Sequence, residues 1–185
     1  MCPTDTALLV VDVQEAFIPF EPDGERIVWN CRRLLDAAKL FQIQTFATEQ
    51  YPEKLGPTVA PLAERLDSPA AAKTAFSCGE CGSVFMAWRE AGIHRVLVCG
   101  IETHVCVQQT VLDLLATGFQ VLIAVDAVGA RFTIDHKTAL RRMEASGALL
   151  TTTESALFEW CGKSGTAEFK QISALAKEKP PIADN

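Results

Sequence analysis

Four short runs rich in valine, isoleucine and leucine, at residues 7–11, 43–47, 95–99 and 120–125, lack any alternation of apolar and polar positions. A strand with one wet face alternates. A strand covered by helices on both faces does not, so these runs predict buried parallel strands. A fifth run, at 148–151, is shorter and follows the helix-ending Gly147. Between the runs, apolar residues recur at helical spacing. Residues 25–41 carry Ile27, Val28, Cys31, Leu34, Leu35 and Ala38 on one stripe, and 83–91, 103–117 and 133–146 each stop before a glycine. This alternation predicts a doubly wound, mostly parallel α/β sheet of about six strands, with helices on both faces and right-handed crossovers. Residues 51–72 break the rhythm with Pro52, Pro57, Pro61 and Pro69, and predict a loop with a short helix over the strand ends.

A chain of 185 residues with 49% hydrophobic content can bury a sizeable core. We expect one domain over residues 1–185, with its core at about 6–158 and C-terminal helices and a tail over 159–185, the end of which (177–185) is expected to be mobile. No apolar run approaches the ~18 residues that cross a bilayer, and Met1-Cys2-Pro3-Thr4-Asp5 does not resemble an export signal. A net charge of −6 without a Lys/Arg cluster argues against nucleic acid as a partner. The seven cysteines are an odd number in a chain too apolar to need disulfides, which predicts reduced thiols and a cytoplasmic protein. Cys31 and Cys99 fit as small core residues. Cys78-Gly79-Glu80-Cys81 has redox or zinc spacing, but it stands without a second pair and does not follow a first strand.

Chemistry is concentrated where apolar runs end. In Val98-Cys99-Gly100-Ile101-Glu102-Thr103-His104-Val105-Cys106, a thiol follows a buried strand where a helix is expected to begin. The carboxyl ends of parallel strands are where ligands bind in open α/β sheets. A helix N-terminus also favours thiolate, so Cys106 is a candidate nucleophile with an expected lowered pKa. Its base is Asp12, an acid at the end of the apolar strand Leu8-Leu9-Val10-Val11. A carboxylate there costs free energy unless it is paired or at work. Lys73, flanked by Ala70-Ala71-Ala72 and Thr74-Ala75-Phe76, is placed for partial burial against an anion. Phe17, Tyr51 and Phe76 fall near the same rim and can shape a pocket. His104 stands two residues before Cys106, a spacing that does not face it on a helix, and can line the pocket or a subunit interface.

Taken together, Ala7-Leu8-Leu9-Val10-Val11-Asp12-Val13-Gln14, Lys73-Thr74-Ala75-Phe76 and Gly100-Ile101-Glu102-Thr103-His104-Val105-Cys106-Val107-Gln108-Gln109-Thr110 resemble, in order and spacing, the isochorismatase-like (cysteine hydrolase) superfamily. Thr48-Glu49-Gln50-Tyr51-Pro52-Glu53-Lys54-Leu55-Gly56 resembles its isochorismatase domain-containing branch, and the likeness runs from Thr6 to Phe158. The resemblance implies a Rossmann-type three-layer fold and a catalytic triad of Asp12, Lys73 and Cys106. It also implies an oxyanion site at the N–H groups of Glu102 and Cys106, shaped by a non-proline cis peptide between Ile101 and Glu102. The implied reaction is hydrolysis of a small amide or related carbonyl compound through a thioester, without a cofactor. Members commonly form oligomers, and apolar segments at 156–160 and 169–176 can supply an interface.

Family nicotinamidases hold a metal with an Asp and several His after the second strand. Residues 48–56 contain no histidine, so no metal is expected there. Two other readings remain open. One is isochorismatase-type cleavage of a vinyl ether by Asp12 without the thiol. The other is a non-catalytic oligomeric binding protein that keeps the fold.

Overall fold

In the computed structural model, which describes residues 1–181, six parallel strands form one sheet in the order β3-β2-β1-β4-β5-β6. The strands are β1 (Thr6–Val11), β2 (Gln44–Gln50), β3 (Ala71–Lys73), β4 (Arg95–Ile101), β5 (Gln120–Gly129) and β6 (Leu149–Thr151). The helices are α1 (Gly24–Leu40), α2 (Pro52–Leu55), α3 (Ala60–Ala63), α4 (Gly82–Glu90), α5 (Gln108–Ala116), α6 (Thr133–Ala145), α7 (Thr153–Cys161) and α8 (Ala167–Ala176). None is long and apolar enough to cross a membrane.

The sheet separates two apolar layers. Leu8 and Val10 face the layer of α1 and α7, with Ile27, Leu34, Leu157 and Trp160, while Ala7, Leu9 and Val11 face the layer of α4, α5 and α6. Both faces of β1 are therefore dry, which is why its sequence shows no alternation. The chain order places β1 beside β4 at the centre, and each strand ends on the same edge.

Four details differ from the sequence expectation. Residues 71–73, assigned to the end of a loop, form the edge strand β3. The helix expected over 103–117 opens instead with a π-helical turn, Thr103–Val107, before α5. The C-terminal helices turn apolar side chains inward: Ala156, Leu157 and Trp160 of α7 and Ile172 of α8 belong to the α1 layer. The segment expected to be mobile is pinned at Glu178, whose carboxylate pairs with Arg32 and accepts a hydrogen bond from Trp29. Residues 182–185 of that segment lie outside the described residues.

Candidate active site

Register brings the polar ends of the central strands together. Val11 pairs with Thr48 of β2 on one side and with Gly100 of β4 on the other, and Gln50 pairs with Lys73. Asp12, the next residue after β1, turns into the left-handed region at φ +51° while its N–H donates to the Thr48 carbonyl at 3.1 Å. That conformation is costly for a residue with a side chain and is found where the surroundings enforce it. Gly100 is needed for the close approach of β4. It sits at φ +118°, and a Cβ there would come within 2.0 Å of the Val11 carbonyl oxygen.

Asp12 and Lys73 form a fully buried ion pair, Nζ to Oδ2 2.7 Å. Lys73 Nζ also donates to Gln50 Oε1 at 2.7 Å and to the carbonyls of Phe76 and Ala75 at 3.0 and 3.2 Å. The second Asp12 oxygen accepts from the Thr48 hydroxyl at 2.8 Å. Thr48 and Gln50 are thus partners of the pair that the sequence reading missed. Their signal was present: two polar residues at a spacing of two, at the end of an apolar strand whose expected boundary stopped at residue 47. Gln50 is itself held by Gln14, whose Oε1 accepts the Gln50 N–H at 2.7 Å.

Burial works against the Lys73 charge, but the Asp12 carboxylate overrides it and Cys106 adds to the effect, so the lysine pKa lies above its ordinary value. Cys106, 4% exposed on the π-helical turn, lies within the field of both charges. Burial, and next the Asp12 carboxylate, push its pKa up, while Lys73 pulls the other way and loses. This corrects the expectation of a lowered pKa. The cost of burial and the neighbouring carboxylate outweigh the help that Lys73 gives to a thiolate. A second thiol, Cys78, is buried next to the pair with its sulfur 3.5 Å from Thr48 Oγ1, and burial raises its pKa to about 11. Cys81, its partner in the Cys-x-x-Cys spacing, is half-buried, and both are free thiols.

The Ile101–Glu102 peptide is cis. The Glu102 carbonyl accepts the N–H groups of Val105 and Val107 at 3.1 and 3.3 Å, and its side chain pairs with Arg131 Nε at 2.8 Å. Of the other residues expected at the rim, Phe17 lines a cavity with Glu102 and Arg131. Tyr51 and Phe76 are exposed on the Lys73 side, where the Tyr51 N–H donates to the Lys73 carbonyl at 2.9 Å. His104 is half-buried, and its Nδ1 has no hydrogen-bond partner among the described residues. No group of three or more His, Cys, Asp or Glu residues is arranged to hold a metal ion among the described residues.

The family model described as the isochorismatase domain matches residues 6–155. The chain belongs to the isochorismatase family. Isochorismatase domain-containing protein 2A of Mus musculus is 38% identical over 179 residues, 97% of this chain and 86% of the mouse protein. The secreted isochorismatase effector Isc1 of Phytophthora sojae is 36% identical over 183 residues, 96% of this chain and 87% of that protein. Among solved structures, the MAR1 ribonuclease from Caenorhabditis elegans superposes with a TM-score of 0.91 at 39% identity, covering 98% of this chain and 94% of its own. The YcaC gene product of Escherichia coli, described as an octameric hydrolase of unknown specificity, gives 0.85 at 26% identity, covering 95% and 89%. The sheet seen here, with helices on both faces, is that of isochorismatase-like α/β hydrolases.

Proposed function

We propose that the chain works as one domain, a metal-independent cysteine hydrolase that cleaves a small amide or related carbonyl compound. The observation that carries this reading is the fully buried ion pair of Asp12 and Lys73, with its charges acting on the Cys106 thiol. A dry carboxylate next to a protonated thiol is a general base waiting for an acceptor. Asp12 takes the thiol proton as sulfur bonds to the substrate carbonyl carbon, and the N–H groups of Glu102 and Cys106 receive the oxyanion. The carbonyl re-forms, the C–N bond breaks, and Asp12 returns its proton to the leaving nitrogen. Water then attacks the thioester with Asp12 again as base, releasing the acid and restoring the thiol. Lys73 pairs with the Asp12 side chain and compensates charge as it develops, and no cofactor enters the cycle.

The seven free thiols favour a reducing compartment such as the cytoplasm. Exposed Phe20, Phe132 and Ile134 favour a homo-oligomer that covers them, in line with the octameric neighbour. A ribonuclease role, suggested by the names of three solved neighbours, is disfavoured by a net charge of −6 and by the depth of the thiol.

The test is ammonia release from a panel of primary amides, run with and without EDTA, by the wild-type protein and Cys106→Ala. We expect turnover of at least one amide that chelation leaves unchanged and that the variant loses by about 100-fold or more. Full amide turnover by Cys106→Ala would show that the thiol is not the nucleophile. Loss of turnover in EDTA, restored by zinc, would show a metal enzyme.

A further inference from the structure

A second cluster of charge sits on the same rim, in a cavity of about 250 Å³ lined by Phe17, Phe20, Glu21, Leu55, Glu102 and Arg131. Glu21 is 6% exposed, and neither of its carboxyl oxygens has a donor among the described residues. A buried carboxyl without a donor costs free energy that a ligand can recover. Its backbone is fixed by a tight turn, with the Glu21 N–H on the Ile18 carbonyl at 3.2 Å and the Gly24 N–H on the Glu21 carbonyl at 3.0 Å. Its carboxyl lies against bare backbone, since a Cβ on Gly129 would come 3.0 Å from Oε2 and 2.3 Å from Ile27 Cδ1. Arg131 is already engaged by Glu102 through two contacts, Nε to Oε1 2.8 Å and Nη2 to Oε2 3.4 Å. That leaves Glu21 as the uncompensated member.

We propose that Glu21, supported by the Glu102–Arg131 pair, forms the polar end of the substrate pocket, takes an N–H-bearing end of the substrate, an ammonium best of all, and so sets specificity against carboxylate-ended substrates. This rests on the hydrolase reading above and names the substrate class for the same rim. An ammonium supplies the missing donors and cancels the extra negative charge. A carboxylate end brings a further negative charge against two carboxyls. Burial, and then the charge of the neighbouring Glu102 carboxylate, raise the Glu21 pKa to about 7, with Asp23 adding and Arg131 opposing. A cation therefore meets an ionised Glu21 above that pH and a neutral one below it.

The experiment measures equilibrium binding of N-(2-aminoethyl)propanamide and of succinamate to Cys106→Ala, by protein-observed nuclear magnetic resonance. The same titrations are repeated with Glu21→Gln and with Arg131→Gln added. We expect the cationic amide to bind at least about tenfold tighter than the anionic one, with its affinity rising about tenfold from about pH 6 to about pH 8. Glu21→Gln should abolish both effects, and Arg131→Gln should widen the preference for the cation. Equal binding of the two probes, no binding of either, or a preference indifferent to both substitutions overturns the proposal. Cationic binding that depends on Glu21, found together with a wild-type protein that turns over no amide, leaves the specificity site standing and removes the amide hydrolase reading instead.

Discussion

Lys73 and Asp12 give up their hydration together, and a pair of this kind survives burial only when each remaining donor and acceptor is met. Here Lys73 reaches Gln50 and two carbonyls besides Asp12, and Asp12 takes the Thr48 hydroxyl. The pair is thus a fixed dipole, and its carboxylate end controls the Cys106 proton. Replacing Asp12 by Asn removes the charge that, after burial, contributes most to raising the thiol pKa, and leaves Lys73 acting on the sulfur. The Cys106 pKa of Asp12→Asn should therefore fall by about a unit or more, seen as thiolate ultraviolet absorbance at lower pH than in the wild type. Turnover should nonetheless drop by about 100-fold or more, because the base and the proton donor are gone. A variant with more thiolate and less activity separates proton transfer from nucleophile ionisation. An unchanged thiol pKa would mean that Asp12 does not act on the sulfur.

The elements place these side chains through two close approaches. Gly100 lets β4 lie against Val11 immediately before Asp12, and the left-handed turn at Asp12 then aims its carboxyl across β2 toward Lys73. Gly100→Ala puts a methyl group into the Val11 backbone at a φ that alanine resists. It should cost at least about 2 kcal/mol in urea unfolding and remove activity with it. β4 and β5 also slip in register, from Val98 opposite Ile123 to Gly100 opposite Val128, so that β5 runs on past the bulge to Gly129. The meeting of Asp12 and Lys73 near Cys106 was legible in the sequence because each follows an apolar or small-residue segment at the same edge of the sheet. Glu21 and Arg131 were not. Ile18-Pro19-Phe20-Glu21-Pro22 looks like any surface turn, and Glu21 is buried only because Gly129 and Glu102, distant in sequence, fold against it. β3 escaped notice for a related reason. Two alanines and a lysine have no strand signature of their own, and their pairing with β2 makes them one. The π-helical turn was equally hidden, since the residues of Thr103–Val107 suit an α-helix as well.

Across the whole molecule, two apolar layers clamp a sheet whose central strands are dry on both faces, so stability is dominated by burial. Glu21 adds a pH dependence of its own. Its pKa rises from 4.5 to about 7 in the folded chain, so between those values the folded state binds more protons than the unfolded one. Stability therefore falls as pH climbs through that window and levels off above it. A shift from 4.5 to about 7 corresponds to at most about 3 kcal/mol of lost stability. Glu21→Gln keeps the shape and cannot ionise, so it should match the wild type near pH 5 and exceed it near pH 8. The gap should reach several degrees in Tm, at about 2–4 °C per kcal/mol for a chain of this size. Differential scanning calorimetry of the two proteins across that range measures the gap directly. A constant difference would mean that Glu21 keeps an ordinary carboxylate pKa in its cavity. A gap that opens with pH and closes when a cationic amide is added would tie the stability of the fold to occupancy of the Glu21 cavity, because the ligand would neutralise the charge that burial penalises.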